Sequence, residues 1–136
     1  VYPGSHLGPI FEHYDERGEW TGAVRENDLA SVGSDGPIAV TGPAGTVSVH
    51  HSRTIHGSRQ NQSSQGRPVL VLTYSAADAI PYTAPAYPSS RYGVLVRGEE
   101  PGYAHHEELH VPMPPDWSDG YTSIFAHQED QEHQEH

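Results

Sequence analysis

The chain has 136 residues, a formal net charge of −11, 34% hydrophobic residues and no cysteine. That length holds one modest core. The missing thiols exclude disulfides and thiolate metal centres, and seven basic residues against eighteen acidic ones argue against nucleic acid or an anionic membrane as partner.

Val1–Tyr2 reads as a strand end and Pro3-Gly4-Ser5-His6 as a turn. The chain opens without methionine or a signal segment, so it is read as the C-terminal part of a longer protein, expected in the cytoplasm. Residues 7–36 are polar and irregular, with Glu12, Asp15, Glu16, Arg17 and Glu19 crowded before Trp20. A long excursion is expected there, with a short helix near Glu26–Val32.

Ile38–Val40 alternates into the glycine turn Gly42-Pro43-Ala44-Gly45, and Thr46–Val49 continues as a strand. A loop over Gly57–Gly66 carries the turn formers Asn61, Ser63 and Ser64. Arg67–Tyr74 is the next strand, and its consecutive apolar residues, VLVLTY, predict a strand covered on both faces. From Ile80 onward seven prolines punctuate the chain up to Pro115 and make regular structure sparse. No apolar stretch approaches the roughly 20 residues that span a bilayer. Residues 128–136, QEDQEHQEH, predict a disordered acidic tail.

Chemistry concentrates where the two strands meet. His56 stands at a strand end before a glycine, and Arg67 follows the loop, eleven positions later. Taken singly, such a histidine is a structural or exposed residue and such an arginine a surface cation. Together across a hairpin they can share one cavity mouth, because an imidazole ligates metals and a guanidinium fork clamps a carboxylate. Ser58 lies beside them as a further hydrogen-bond donor to an acid. On an unbroken strand His50, Ser52, Thr54 and His56 line one face, a polar row suited to a wet cavity and scrambled by any bend. Asn61 reads as a turn-fixing residue, Ser5 and His6 as stabilisers of their own loop, and Trp20 and Trp117 as packing residues.

PGSH at 3–6, the glycine turn at 42–45, HGSRQNQS at 56–63, Arg67 and the run from Tyr74 to Asp78 resemble the phytanoyl-CoA dioxygenase family. The resemblance covers roughly residues 1–80, and the stretches around Asp116-Trp117 and Gly120–Gln128 are similar to tails of bacterial members. It implies a mainly β fold: a partial double-stranded β-helix (jelly-roll, cupin-like) with long loops and an irregular C-terminal extension. The expected division is a C-terminal part of the oxygenase barrel at 1–80, a Pro-rich extension at 81–127 and the tail at 128–136.

The resemblance further implies an iron(II)- and 2-oxoglutarate-dependent dioxygenase acting on a small-molecule substrate. His56 would be the distal histidine of a 2-His-1-carboxylate triad, Arg67 the clamp on the far carboxylate of 2-oxoglutarate, and Ser58 a second contact to it. The family's other two ligands, an H-x-D pair, precede PGSH and have no counterpart in that order here. With one ligand of three, the chain alone is expected to be inactive. A non-catalytic cupin-like binding module is the alternative.

Two patterns imitate other sites. His13-Tyr14-Asp15 is an H-x-D, but it follows PGSH in a charged stretch and reads as a solvated loop. His106-Glu107-Glu108-Leu109-His110 matches the zincin motif and makes a zinc hydrolase a weaker option. That motif needs a helix, and Pro112, Pro114 and Pro115 stop one by about His110.

Overall fold

A computed structural model describes residues 1–33, 35–85 and 88–118. The expected tail at 128–136 lies outside them, as does the end of the Pro-rich extension. Two elements of regular structure are defined among the described residues: a 3-10 turn over Ser5–Leu7 and a helix, α1, over Glu26–Leu29. No described residue belongs to a helix long and apolar enough to cross a membrane.

The 3-10 turn begins where PGSH demands it. Pro3 removes an amide donor, and Gly4 takes a left-handed φ of 78° that a side chain would resist. Helix α1 falls within the expected 26–32 interval and continues as single turns, with Ser31 and Val32 amides donating to the Asp28 and Leu29 carbonyls at 3.0 Å. Arg25 sits before it and pairs with Asp28 at 3.0 Å and Glu12 at 3.7 Å. These exposed pairs contribute little stability but tie the excursion to itself.

The chain divides into two compact units. The first comprises Val1–Glu19 and Ala23–Pro68; the second comprises Trp20–Gly22 and the chain from Val69 on. Within the first, Val1 exchanges both backbone hydrogen bonds with Ile38, at 2.8 and 2.9 Å. Tyr2 turns the other way and donates to the Ile55 carbonyl at 2.9 Å. The expected strand end therefore lies between two other stretches of chain. Within the second unit, Trp20 and Trp117 meet edge-on with centroids 5.1 Å apart, as packing residues do, and the His105 amide reaches the Asp78 carbonyl at 2.9 Å.

Order in this chain comes from hydrogen bonds more than from apolar burial. The buried described residues are Ser5, Thr21, Gly22 and Thr54, and no apolar side chain among the described residues is buried. Two expectations are corrected here. VLVLTY is not covered on both faces: Leu70 is 83% exposed and Val71 75%. The polar row from His50 to His56 does not run straight, because a turn over residues 51–54, closed by the Thr54 amide on the His51 carbonyl at 2.9 Å, bends it. The bend brings the His50 ring to 4.7 Å from that of His56 and leaves Thr54 buried between them in sequence.

Candidate active site

His56 follows this turn, and its ring is fixed by one hydrogen bond. Nδ1 lies 2.7 Å from the Thr54 carbonyl oxygen. A carbonyl only accepts, so Nδ1 carries the proton, and in the neutral ring Nε2 keeps its lone pair. Nε2 makes no hydrogen bond among the described residues. Metal-binding histidines have this arrangement, with the second ring nitrogen donating to a carbonyl that sets tautomer and ring direction. The donor set of His56 thus fits one position of an iron site.

Two residues on, Ser58 contacts the other candidate. Its Oγ accepts a short hydrogen bond from the Arg67 guanidinium, which also reaches the Arg59 carbonyl at 3.3 Å. The loop between them is drawn together by Asn61. Its side-chain amide donates to the Gln65 carbonyl at 2.7 Å, and its oxygen accepts from the Ser63 amide and hydroxyl at 3.1 and 2.8 Å. Asn61 is a turn-fixing residue, and it returns Arg67 to the start of the loop. No carboxylate pairs with Arg67 among the described residues, so its charge is available to an acid. No hydrogen bond or ring contact joins His56 directly to Arg67; Ser58 links the two stretches.

Behind the site, the PGSH turn is clamped to the 51–56 turn. The Ser5 hydroxyl donates to the Tyr2 carbonyl at 2.7 Å and accepts from the Ile55 amide at 2.8 Å. Arg53 donates to the Gly8 carbonyl at 2.6 Å, and the His6 and His51 rings face each other at 5.6 Å. Ser5 and His6 therefore do more than steady their own loop. Arg53 escaped sequence reasoning altogether, since nothing in its neighbourhood announces a partner 45 residues upstream.

The two imitations resolve differently from true sites. Asp15 spends both carboxylate oxygens on its own turn, accepting from the Arg17 and Glu19 amides at 2.9 and 2.8 Å and from Arg17 Nε at 3.0 Å. The Glu19 amide bond, first among these, holds the Asp15 carboxyl below its usual range. Desolvation lowers the nearby His13 imidazole. The HEELH segment forms no helix; its Leu109 amide closes only a tight turn onto the Glu107 carbonyl at 2.9 Å. Its histidines thus lack the shared helical face that zincin chemistry needs. Among the described residues, no group of three or more histidine or acidic side chains is placed to hold a metal ion.

The profile of the phytanoyl-CoA dioxygenase family matches residues 1–69, the stretch that contains PGSH, the glycine turn, His56, Ser58 and Arg67. The chain is also 37% identical over 115 residues to a probable alpha-ketoglutarate-dependent hypophosphite dioxygenase of Stutzerimonas stutzeri, covering 82% of this chain and 40% of that protein. The chain belongs to the phytanoyl-CoA dioxygenase family. It spans about 40% of the length of the curated relative it matches. No solved structure matches it.

Proposed function

We propose that the protein carrying this chain is an iron(II)- and 2-oxoglutarate-dependent dioxygenase that hydroxylates a small organic substrate. The chain supplies part of a jelly-roll barrel, one iron ligand and the cosubstrate clamp. The observation that carries this reading is the His56 ring, held through Nδ1 with Nε2 unengaged among the described residues. Arg67 supports it, as a guanidinium oriented by Ser58 and without a carboxylate partner among the described residues.

In this reading His56 holds iron(II) through Nε2. Iron(II) supplies the oxygen-activating chemistry that couples decarboxylation of 2-oxoglutarate to substrate oxidation. Arg67 clamps the distal carboxylate, and the Ser58 hydroxyl, already on that guanidinium, gives the acid a second contact. The chain alone, with one of three ligands, is expected to be inactive.

The test is succinate formation from 2-oxoglutarate by the protein that carries this chain, with iron(II) and oxygen supplied. The substrate panel should include hypophosphite beside organic acids, since a relative carries that oxyanion in its name. Turnover that disappears in His56→Ala supports the reading. Turnover indifferent to both His56 and Arg67 sinks it.

A further inference from the structure

Four groups behind the iron-facing nitrogen form one line of hydrogen bonds. His56 Nδ1–H donates to the Thr54 carbonyl at 2.7 Å. The other end of that same peptide is the Ile55 amide, which donates to Ser5 Oγ at 2.8 Å. The Ser5 hydroxyl proton then goes to the Tyr2 carbonyl at 2.7 Å. Beyond His56 Nδ1–H, which starts the line, each donor also accepts or shares a peptide with an acceptor, and all dipoles point one way. Ser5 is 8% exposed, so water competes little for its hydroxyl.

We propose that Ser5 is a positioning residue for His56, acting through the peptide between Thr54 and Ile55. The inference rests on the proposed iron role of His56. Aligned hydrogen bonds polarise one another. An acceptor on the Ile55 amide draws density towards the Thr54 carbonyl oxygen and makes it a better acceptor for Nδ1–H. The imidazole is thereby held in the Nδ1–H tautomer, with its basic nitrogen at Nε2. Without the Ser5 hydroxyl, the Ile55 amide loses its partner in a half-buried place and the peptide is free to rotate. The ring then loses its fixed direction, although no atom touching metal or cosubstrate has changed. The PGSH turn, fifty residues before the ligand, thus sets the peptide that sets the ring.

The test is long-range nitrogen NMR of the imidazoles in the chain, at a pH where they are neutral, for the natural sequence, Ser5→Ala and Ser5→Thr. The natural chain should show His56 as the Nδ1–H tautomer. Ser5→Ala should shift it towards the Nε2–H form, and Ser5→Thr, which keeps the hydroxyl, should restore it. Adding cobalt(II) with 2-oxoglutarate gives a second readout, because even weak binding broadens the ring signals. His56 broadening should need about tenfold more cobalt(II) in Ser5→Ala, the lower end of the losses seen on removing outer-shell partners. An unchanged tautomer and unchanged broadening in Ser5→Ala overturn the Ser5 assignment. So does an Nε2–H tautomer in the natural chain, a result that holds even if Ser5→Ala fails to fold. Absence of His56 broadening in the protein that carries this chain instead overturns the iron reading, whatever the tautomer does.

Discussion

Ser58 accepts a hydrogen bond from Arg67 across the loop that separates them, so the guanidinium is aimed before any acid arrives. Preorganisation of this kind reduces the ordering cost of binding. It also makes the geometry of the fork matter, beyond its charge.

Arg67→Lys should therefore weaken 2-oxoglutarate binding about tenfold, because lysine keeps the charge and loses the planar pair of donors. Arg67→Ala should cost about 1.5–3 kcal/mol, the usual range for a hydrogen bond to a charged group. Calorimetric titration of 2-oxoglutarate into the metal-loaded protein reads both. Equal affinity for all three forms would place the cosubstrate elsewhere.

Gly4 has a φ of 78° with open space around its missing side chain, so only backbone strain opposes substitution. Gly4→Ala should cost about 1–2 kcal/mol, the penalty for an L-residue in the left-handed region. Hydrogen exchange at the Ile55 amide should speed up in parallel, since that amide depends on Ser5 one residue beyond the glycine. Unaltered protection would mean that the turn does not govern residue 55.

The Asp15 turn has a definite pH dependence. Its folded carboxyl lies below the unfolded value, because the Glu19 amide bonds the charged form. The stabilisation is thus fully present above the unfolded carboxylate range, near pH 4, and is lost as pH falls through the lower folded value. The Glu19 amide proton shift should follow that loss in an acid titration. Asp15→Asn should flatten it while leaving iron chemistry unchanged, because both Asp15 oxygens serve the turn.

Both tryptophans of the chain sit in one edge-to-face pair, so near-ultraviolet circular dichroism isolates a single contact. Trp117→Phe should remove most of that signal and cost about 0.5–1.5 kcal/mol in the second unit. Retention of the band would show that the pair does not persist in solution.

His106→Ala with His110→Ala should leave succinate formation intact. The segment has no helix to align the two rings, so they share no metal-binding face. Lost turnover would reinstate HEELH as a functional element.

Local chemistry was the legible part of this sequence. The left-handed glycine of PGSH, the helix after Arg25, and the turn-fixing role of Asn61 each follow from residues within four positions of one another. That Ser58 lies beside Arg67 was also readable, because a loop of known length separates them, but their hydrogen bond to each other was not. The link from Ser5 to Ile55 and that from Arg53 to Gly8 were not. They join stretches fifty and forty-five residues apart, and hydroxyls or guanidinia announce no distant partner in a single sequence. The straight polar row from His50 failed for a related reason: alternation assumes an extended backbone, and the His51–Thr54 turn breaks it.

The uncovered VLVLTY stretch has a consequence for handling the chain on its own. Six successive uncharged residues, four of them of high β-propensity, contain no proline, and their side chains stand in water. Such a segment is a template for intermolecular stacking, with Pro68 and Arg67 as its only guards on the upstream side. Concentrated solutions should scatter light and bind amyloid dyes with time, and a single Val71→Lys change should delay both.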